Sequence, residues 1–295
     1  RRRRSRSDPA TRGAGSAAPP WSRPSMKITN PATGDKIADV PADNAAAVRR
    51  KYDAARAAQP RWAATPMRKR LAAISAFRGR IEAMQETLAR TLTQEVGKPI
   101  RQSRNELQGL LPRIDFFLAE SAGALRDEKV FADPAQKLQE RISHEPLGVI
   151  ANISAWNYPY FVGSNVFVPA LVAGNAVLYK PSEYATLTGL HIAELLHESG
   201  VPEDVFVPVI GGGEAGAALL RQPVDGVFFT GSYATGAKIA AVAGRRMIKV
   251  QLELGGKDPV YVCEDVDVKA TAAAVADGAF YNTGQSCCSV ERIYV

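Results

Sequence analysis

Apolar residues recur at helical spacing from 44 to 58, and Asp43 stands where a carboxylate caps a first turn. A second run of the same period starts at Thr65-Pro66, a capping hydroxyl before a proline, and reaches Val96. Gly97-Lys98-Pro99 ends it. A third helical pattern covers 101–125 and contains Pro112, which predicts a break in its middle.

Beyond residue 146 the texture changes, and short apolar runs alternate with helical stretches. The order is "GVIANIS" with a helix over 162–172, "AVLYK" with 185–198, "VFVPVI" with 215–221, and "GVFFT" with 233–243. Then come "IKVQLE" and "PVYV", followed by a helix over 268–281. Parallel strands need crossovers, and crossovers are usually helices, so this rhythm predicts an α/β fold: a Rossmann-like parallel sheet with flanking helices. No repeat of fixed period is present.

Length and composition fit that picture. A chain of 295 residues can bury a sizeable core, and 46% hydrophobic with 23% charged residues is ordinary for a globular protein. No apolar run reaches the ~18 residues that cross a bilayer. The net charge of +7 suggests a nucleic-acid partner until it is located. Residues 1–25 hold seven arginines and one aspartate, leaving only +1 for 26–295, so none is expected for the folded part. The tail is rich in Arg, Ser, Pro and Gly and reads as a disordered basic extension before a natural start at Met26.

In open parallel sheets ligands gather beyond the carboxyl ends of the strands. The residues there are "AWN", "KPSE", "GGG", "TGS" and "ELGGKD". The segment from Gly231 to Gly236 follows a strand and opens a helix, which suits an anion or an ordinary tight turn. Gly211 to Gly213 offers close approach to a ligand, or a flexible loop. Lys180 and Glu183 could hydrogen-bond ribose hydroxyls, or form a solvated ion pair. Glu253, flanked by apolar residues in "VQLELGG", reads as a half-buried general base or a salt-bridged edge carboxylate.

Of three cysteines, Cys263 in "VYVCED" reads as a small buried hydrophobe. Cys287 and Cys288 are adjacent in "GQSCCSVER" and unsuited to bridging each other. The histidines form no H-E-x-x-H and there is no C-x-x-C, so a metal centre is not expected. An attacking thiolate is the economical reading.

Taken together, "SAWNYP", "KPSE", "FFTGSYATG", "LELGGKDP" and "GQSCCSVER" resemble, in order, the motifs of the aldehyde dehydrogenase superfamily. Glu253 and Cys287 lie thirty-four residues apart, as in that family's pattern. The resemblance spans 26–295. It implies Cys287 as nucleophile and Cys288 as a packing neighbour. Asn157 and the Cys287 N–H would stabilise the oxyanion, each such donor typically contributing about 3 kcal/mol, and Glu253 would activate the hydrolytic water. The cofactor positions it implies are Trp156, Lys180, Glu183, Gly212, Phe229, Gly231, Ser232 and Leu254. Glu183 favours NAD, with NADP also admitted.

The same resemblance implies an NAD(P)-binding domain over 26–253, with protruding oligomerisation strands at 128–146, and the start of a truncated catalytic domain over 254–295. It implies an aldehyde as substrate, a homo-oligomer, no membrane partner and a cytoplasmic location. Two rival readings stand beside oxidation to a carboxylate. One is an acylating relative that passes the thioester to coenzyme A, against which Glu253 argues. The other is an inactive fragment that at most binds a dinucleotide.

Overall fold

The computed structural model describes residues 25–295. The basic extension therefore lies outside the described residues, Ser25 excepted. Strands β1 (Ser25–Thr29) and β2 (Lys36–Pro41) pair as an antiparallel ribbon. Helices α1 (Ala45–Ala63), α2 (Met67–Val96) and α3 (Ile100–Ala124) follow. A hairpin of β3 (Glu128–Asp133) and β4 (Leu138–Ile142) stands apart from every other strand. The alternating part contains β5 (Val149–Ile153), α4 (Pro159–Val172), β6 (Ala176–Lys180), α5 (Thr186–Glu198), β7 (Phe206–Pro208), α6 (Gly213–Arg221), β8 (Gly226–Gly231), α7 (Tyr233–Arg246) and β9 (Lys249–Leu254).

These five strands form one parallel sheet in the order β7-β6-β5-β8-β9. Every residue of β5 and β6 is buried, as expected of central strands covered on both faces. Alternation along β5 sends Ile150 into a core with α2, α3, α4 and α5, and Val149, Ala151 and Ile153 into a second core with α1, α6 and α7. The register pairs Ile153 with both Lys180 and Phe229, so β5 and β6 end level while β8 runs on to Gly231. A separate two-stranded parallel sheet joins β10 (Asp258–Tyr261) to β11 (Val290–Tyr294) through α8 (Val268–Phe280). Among the described residues no helix is long and apolar enough to cross a membrane.

Several local expectations give way. Asn44, not Asp43, caps α1 by accepting from the Ala47 N–H at 2.9 Å. Asp43 is recruited by tertiary partners instead, accepting from the Ile210 N–H at 2.8 Å and pairing with Lys51. Thr65 does not cap α2, because its hydroxyl donates to the Arg61 carbonyl at 3.0 Å. Pro112 lies on the exposed side of α3, where water can serve the backbone carbonyl it frees, and the helix continues through it. Gly97 does stop α2, in a left-handed conformation with φ +83°. Cys263 is exposed rather than buried, since β10 pairs only with β11 and its sheet has no third strand among the described residues to cover it.

Candidate active site

The strand order reverses between β5 and β8, so the loops leaving those two strands diverge and open a crevice. A groove of about 930 Å³ occupies it. Trp156, Lys180, Glu183, Phe229, Gly231 and Ser232 all line this groove. Gly212 does not; it borders a neighbouring cavity of about 710 Å³ together with Trp156, Glu183 and Gln285. Leu254 lines neither. Its side chain packs on α7, where a Cβ at Gly236 would meet Leu254 Cδ2 at 2.6 Å.

Lys180 is buried while the Glu183 side chain keeps 42% exposure, so the pair is not a solvated one. Lys180 Nζ lies 3.7 Å from Glu183 Oε2 and donates to the Pro181 carbonyl at 3.1 Å. Burial lowers the lysine pKa and Glu183 opposes that shift. Ser232 caps α7, its hydroxyl accepting from the Thr235 N–H at 3.4 Å. Gly211 has φ +144°, and a Cβ there would strike Ala215 Cβ at 2.7 Å, so this loop requires glycine at that position. A Cβ at Gly213 would meet nothing within 4 Å and would protrude into open groove. A buried cation, a helix N-terminus and bare glycine backbone suit a diphosphate, and the Glu183 carboxylate suits a ribose hydroxyl. The residues present fit a dinucleotide.

Cys287 and Cys288 occupy the two corner positions of a tight turn closed by the Ser289 N–H donating to the Ser286 carbonyl at 3.2 Å. The Ser289 hydroxyl accepts from the Ser286 N–H at 3.3 Å and stiffens it. Both thiols are free and exposed. They border a cavity of about 560 Å³ with Glu253, Glu106, Tyr158 and Thr230. Partial burial of its sulfur raises the Cys287 pKa, and Cys288 adds to the shift. Gly256 passes alongside, where a Cβ would come within 3.3 Å of the Cys287 carbonyl oxygen.

Glu253 faces this cavity but is exposed, not half-buried as its apolar neighbours suggest. Those neighbours, Leu252 and Leu254, point to the other side of β9, and β9 is the last strand of the sheet. Asn157 does not border the cavity. Its amide donates to the Gln285 carbonyl at 2.8 Å, and its own backbone carbonyl accepts from Asn282 Nδ2 at 3.2 Å. Asn282, Thr283 and Gly284 all have positive φ (+54°, +57° and +72°), an uncommon run for which a β-branched threonine is a genuine outlier. Buried Asn282 holds it in place.

Sequence reasoning passes over Tyr158, Asn282, Ser286 and Thr230, although each lies in or beside a quoted motif. Ser286 Oγ donates to Tyr158 Oη at 3.1 Å, and Asn105 Nδ2 donates to Tyr281 Oη at 3.0 Å. Thr230 borders both the groove and the thiol cavity. Only the position of Thr230 at the end of "GVFFT" hints at this.

A doubly wound sheet with a groove at its switch point, beside a cysteine-lined cavity that shares Thr230 with it, is the arrangement of a dinucleotide-fold protein. The chain belongs to the aldehyde dehydrogenase family, whose sequence profile matches residues 20–295. It is 38% identical over 291 residues to the 3,6-anhydro-alpha-L-galactose dehydrogenase of Streptomyces coelicolor, covering 98% of this chain and 58% of that protein. An NAD-dependent aldehyde dehydrogenase from Sinorhizobium meliloti superposes with a TM-score of 0.87 at 34% identity, over 92% of this chain and 54% of that one. The structure of PnpE in complex with nicotinamide adenine dinucleotide gives 0.87 at 33%, over 92% and 55%. The chain thus spans about half the length of the relatives it matches.

Proposed function

We propose that this chain serves the oxidation of an aldehyde to its carboxylate through a covalent adduct on Cys287, with NAD(P) as oxidant. One observation carries the reading: Thr230 borders both the groove that fits a dinucleotide and the cavity that holds Cys287 and Glu253. Chemistry at the sulfur and binding in the groove are then adjacent. The similarity to PnpE in complex with nicotinamide adenine dinucleotide supports the choice of cofactor.

In this reading Cys287 gives up its proton and its sulfur attacks the aldehyde carbon, forming a C–S bond and leaving charge on the former carbonyl oxygen. The Cys287 N–H stabilises that oxyanion, and the Asn157 amide, which lies outside the cavity lining and is held by Gln285, has to turn its second proton toward the cavity to add to it. Partial burial raises the Cys287 pKa, so a base that takes its proton favours the attack. Of the two carboxylates bordering the cavity, Glu106 is committed to Lys98 and the start of α4, whereas Glu253 is exposed and open to water. Trp156, Lys180, Glu183 and the Gly231-Ser232 backbone of the groove would hold NAD(P)+, which would supply the hydride acceptor needed to take the adduct to the acyl level. Glu253 then takes a proton from water as it attacks the thioester carbon, the C–S bond breaks, and carboxylate and thiol are released. Trp156, Lys180, Glu183, Gly212, Phe229, Gly231, Ser232 and Leu254 hold or shape the cofactor region.

The break between the five-stranded sheet and the β10-β11 sheet supports a division near residue 253 into a dinucleotide-binding domain and the start of a catalytic domain. The β3-β4 hairpin exposes Val130, Phe131, Leu138 and Ile142, which supports pairing with a second copy of the chain. Three unpaired cysteines support a reducing, cytoplasmic setting.

The test is NAD(P)H formation by the 295-residue chain with a panel of aldehydes, paired with mass spectrometry for an acyl adduct on Cys287. NAD(P)H formation with acylated Cys287 supports the proposal; NAD(P)H formation without any adduct on Cys287 refutes it. A second reading, dinucleotide binding without turnover, is favoured by α8, which buries none of its side chains and leaves Val268 and Phe280 exposed beside the thiol turn's sheet. Calorimetric binding of NAD without NAD(P)H formation selects it.

A further inference from the structure

Lys98 and Glu106 form an ion pair of 2.6 Å in which neither side chain has any exposure. Burying two charges costs several kcal/mol per ion before pairing recovers it, so such a pair is weak support for stability and calls for another account. Its surroundings supply one. Glu106 Oε1 accepts from the N–H groups of Tyr160 and Phe161, at 2.9 and 3.2 Å, which are free donors in the first turn of α4. The Lys98 ammonium stands 4.2 Å from the centre of the Tyr158 ring, the residue immediately before α4. Tyr158 Oη in turn accepts from Ser286, the first residue of the turn that carries Cys287 and Cys288.

The contacts therefore run from a fixed charge pair to a helix start, to an aromatic ring, and to the thiol turn. Asn157, one residue before Tyr158, adds the parallel bond to Gln285. Without the pair, the segment from Asn157 to Phe161 loses both the carboxylate that accepts from the first turn of α4 and the cation beside the Tyr158 ring.

We propose that Lys98 and Glu106 are positioning residues for the thiol turn, acting through Tyr158 on Ser286 and so on how Cys287 is presented to the cavity. This rests on the reading of Cys287 as nucleophile. Its test nevertheless needs neither aldehyde nor dinucleotide, so a chain without dehydrogenase activity still reports on it.

The experiment is site-resolved alkylation of the full chain by iodoacetamide, with Cys287 and Cys288 quantified by mass spectrometry across pH. The variant is Lys98→Met with Glu106→Gln, which removes both charges at similar volume and keeps a carbonyl oxygen for α4. The expected result is a shift of about threefold or more in the ratio of Cys287 to Cys288 alkylation, with a displaced pH profile for Cys287. Tyr158→Phe should give a similar shift, and combining it with the charge-free variant should add little. A folded charge-free variant with the wild-type ratio overturns the proposal, and so does full additivity with Tyr158→Phe. If the charge-free variant does not fold, Glu106→Asp replaces it: this keeps both charges but shortens the reach to α4, and an unchanged ratio there also overturns the proposal.

Discussion

The side-chain amide of Asn157 donates to the carbonyl oxygen of Gln285 at 2.8 Å, tying the loop after the central strand β5 to the segment that carries Cys287. One partner sits at the switch point of a rigid sheet and the other two residues before the nucleophile candidate. Together with the Ser286–Tyr158 and Asn282–Asn157 bonds, it ties a turn lying between α8 and β11 to the rigid sheet.

Replacing Asn157 should therefore do two things at once. Asn157→Ala removes the proposed oxyanion donor and this tether, and we expect kcat to fall by about 10²- to 10³-fold. Asn157→Asp removes the amide donor to Gln285 and places a carboxylate beside a carbonyl, so it should be no better. Steady-state kinetics with a good aldehyde substrate checks this, and a variant within about twofold of wild type in kcat removes Asn157 from the site.

The two cysteines occupy the two corners of one turn, and partial burial raises the Cys287 pKa. Cys287→Ala should abolish acyl-adduct formation, and Cys288→Ala should largely spare it. The reverse result exchanges the roles. The sign of the pH dependence follows from the shift. A raised thiol pKa means fewer thiolates at neutral pH, so Cys287 alkylation should keep rising with pH beyond the point where an ordinary cysteine has levelled. A Cys287 midpoint below that of free cysteine contradicts this environment.

Glu183 keeps its carboxylate partly in solvent while buried Lys180 holds its other side. A carboxylate there repels a 2′-phosphate, and removing its charge should relax that discrimination. Glu183→Gln is expected to raise the NADP-to-NAD ratio of kcat/KM by roughly tenfold, about 1.4 kcal/mol. An unchanged ratio places the ribose elsewhere.

The sheet was legible because its central strands are continuous apolar runs, and "VIANI" and "AVLYK" are buried at every position. Helix ends were less so. Asp43 and Asn44 are both good capping residues, and only the approach of Ile210 and Lys51 decides between them. The candidate chemistry was legible as motifs at strand ends. Its environment was not: the apolar neighbours of Glu253 say nothing of an open sheet edge, and Cys263 in a strand-like run says nothing of a sheet with two strands. The Lys98–Glu106 pair escaped for a related reason. Lys98 lies in the break between α2 and α3, and a carboxylate on the inward stripe of α3 with Leu107 and Leu110 gives no sign of its cation.

That helix break supports the last prediction. Gly97 ends α2 at φ +83° and turns the chain so that Lys98, the next residue, enters the interior. A Cβ on Gly97 would also lie 2.8 Å from Pro31 Cγ, in the loop between β1 and β2. Gly34 has nearly the same conformation, φ +78°, but nothing within 4 Å of a Cβ. Left-handed backbone costs an L-residue about 1–2 kcal/mol, and Gly34→Ala should lose that amount alone. Gly97→Ala should lose it together with a packing cost of about 1–3 kcal/mol, because the proline ring that would have to move is not a flexible side-chain end. Urea unfolding followed by far-UV circular dichroism measures both, and the difference between the two variants isolates the packing part. Equal midpoints for Gly34→Ala and Gly97→Ala show that the ribbon yields at Pro31 and that this end of α2 is not held from outside.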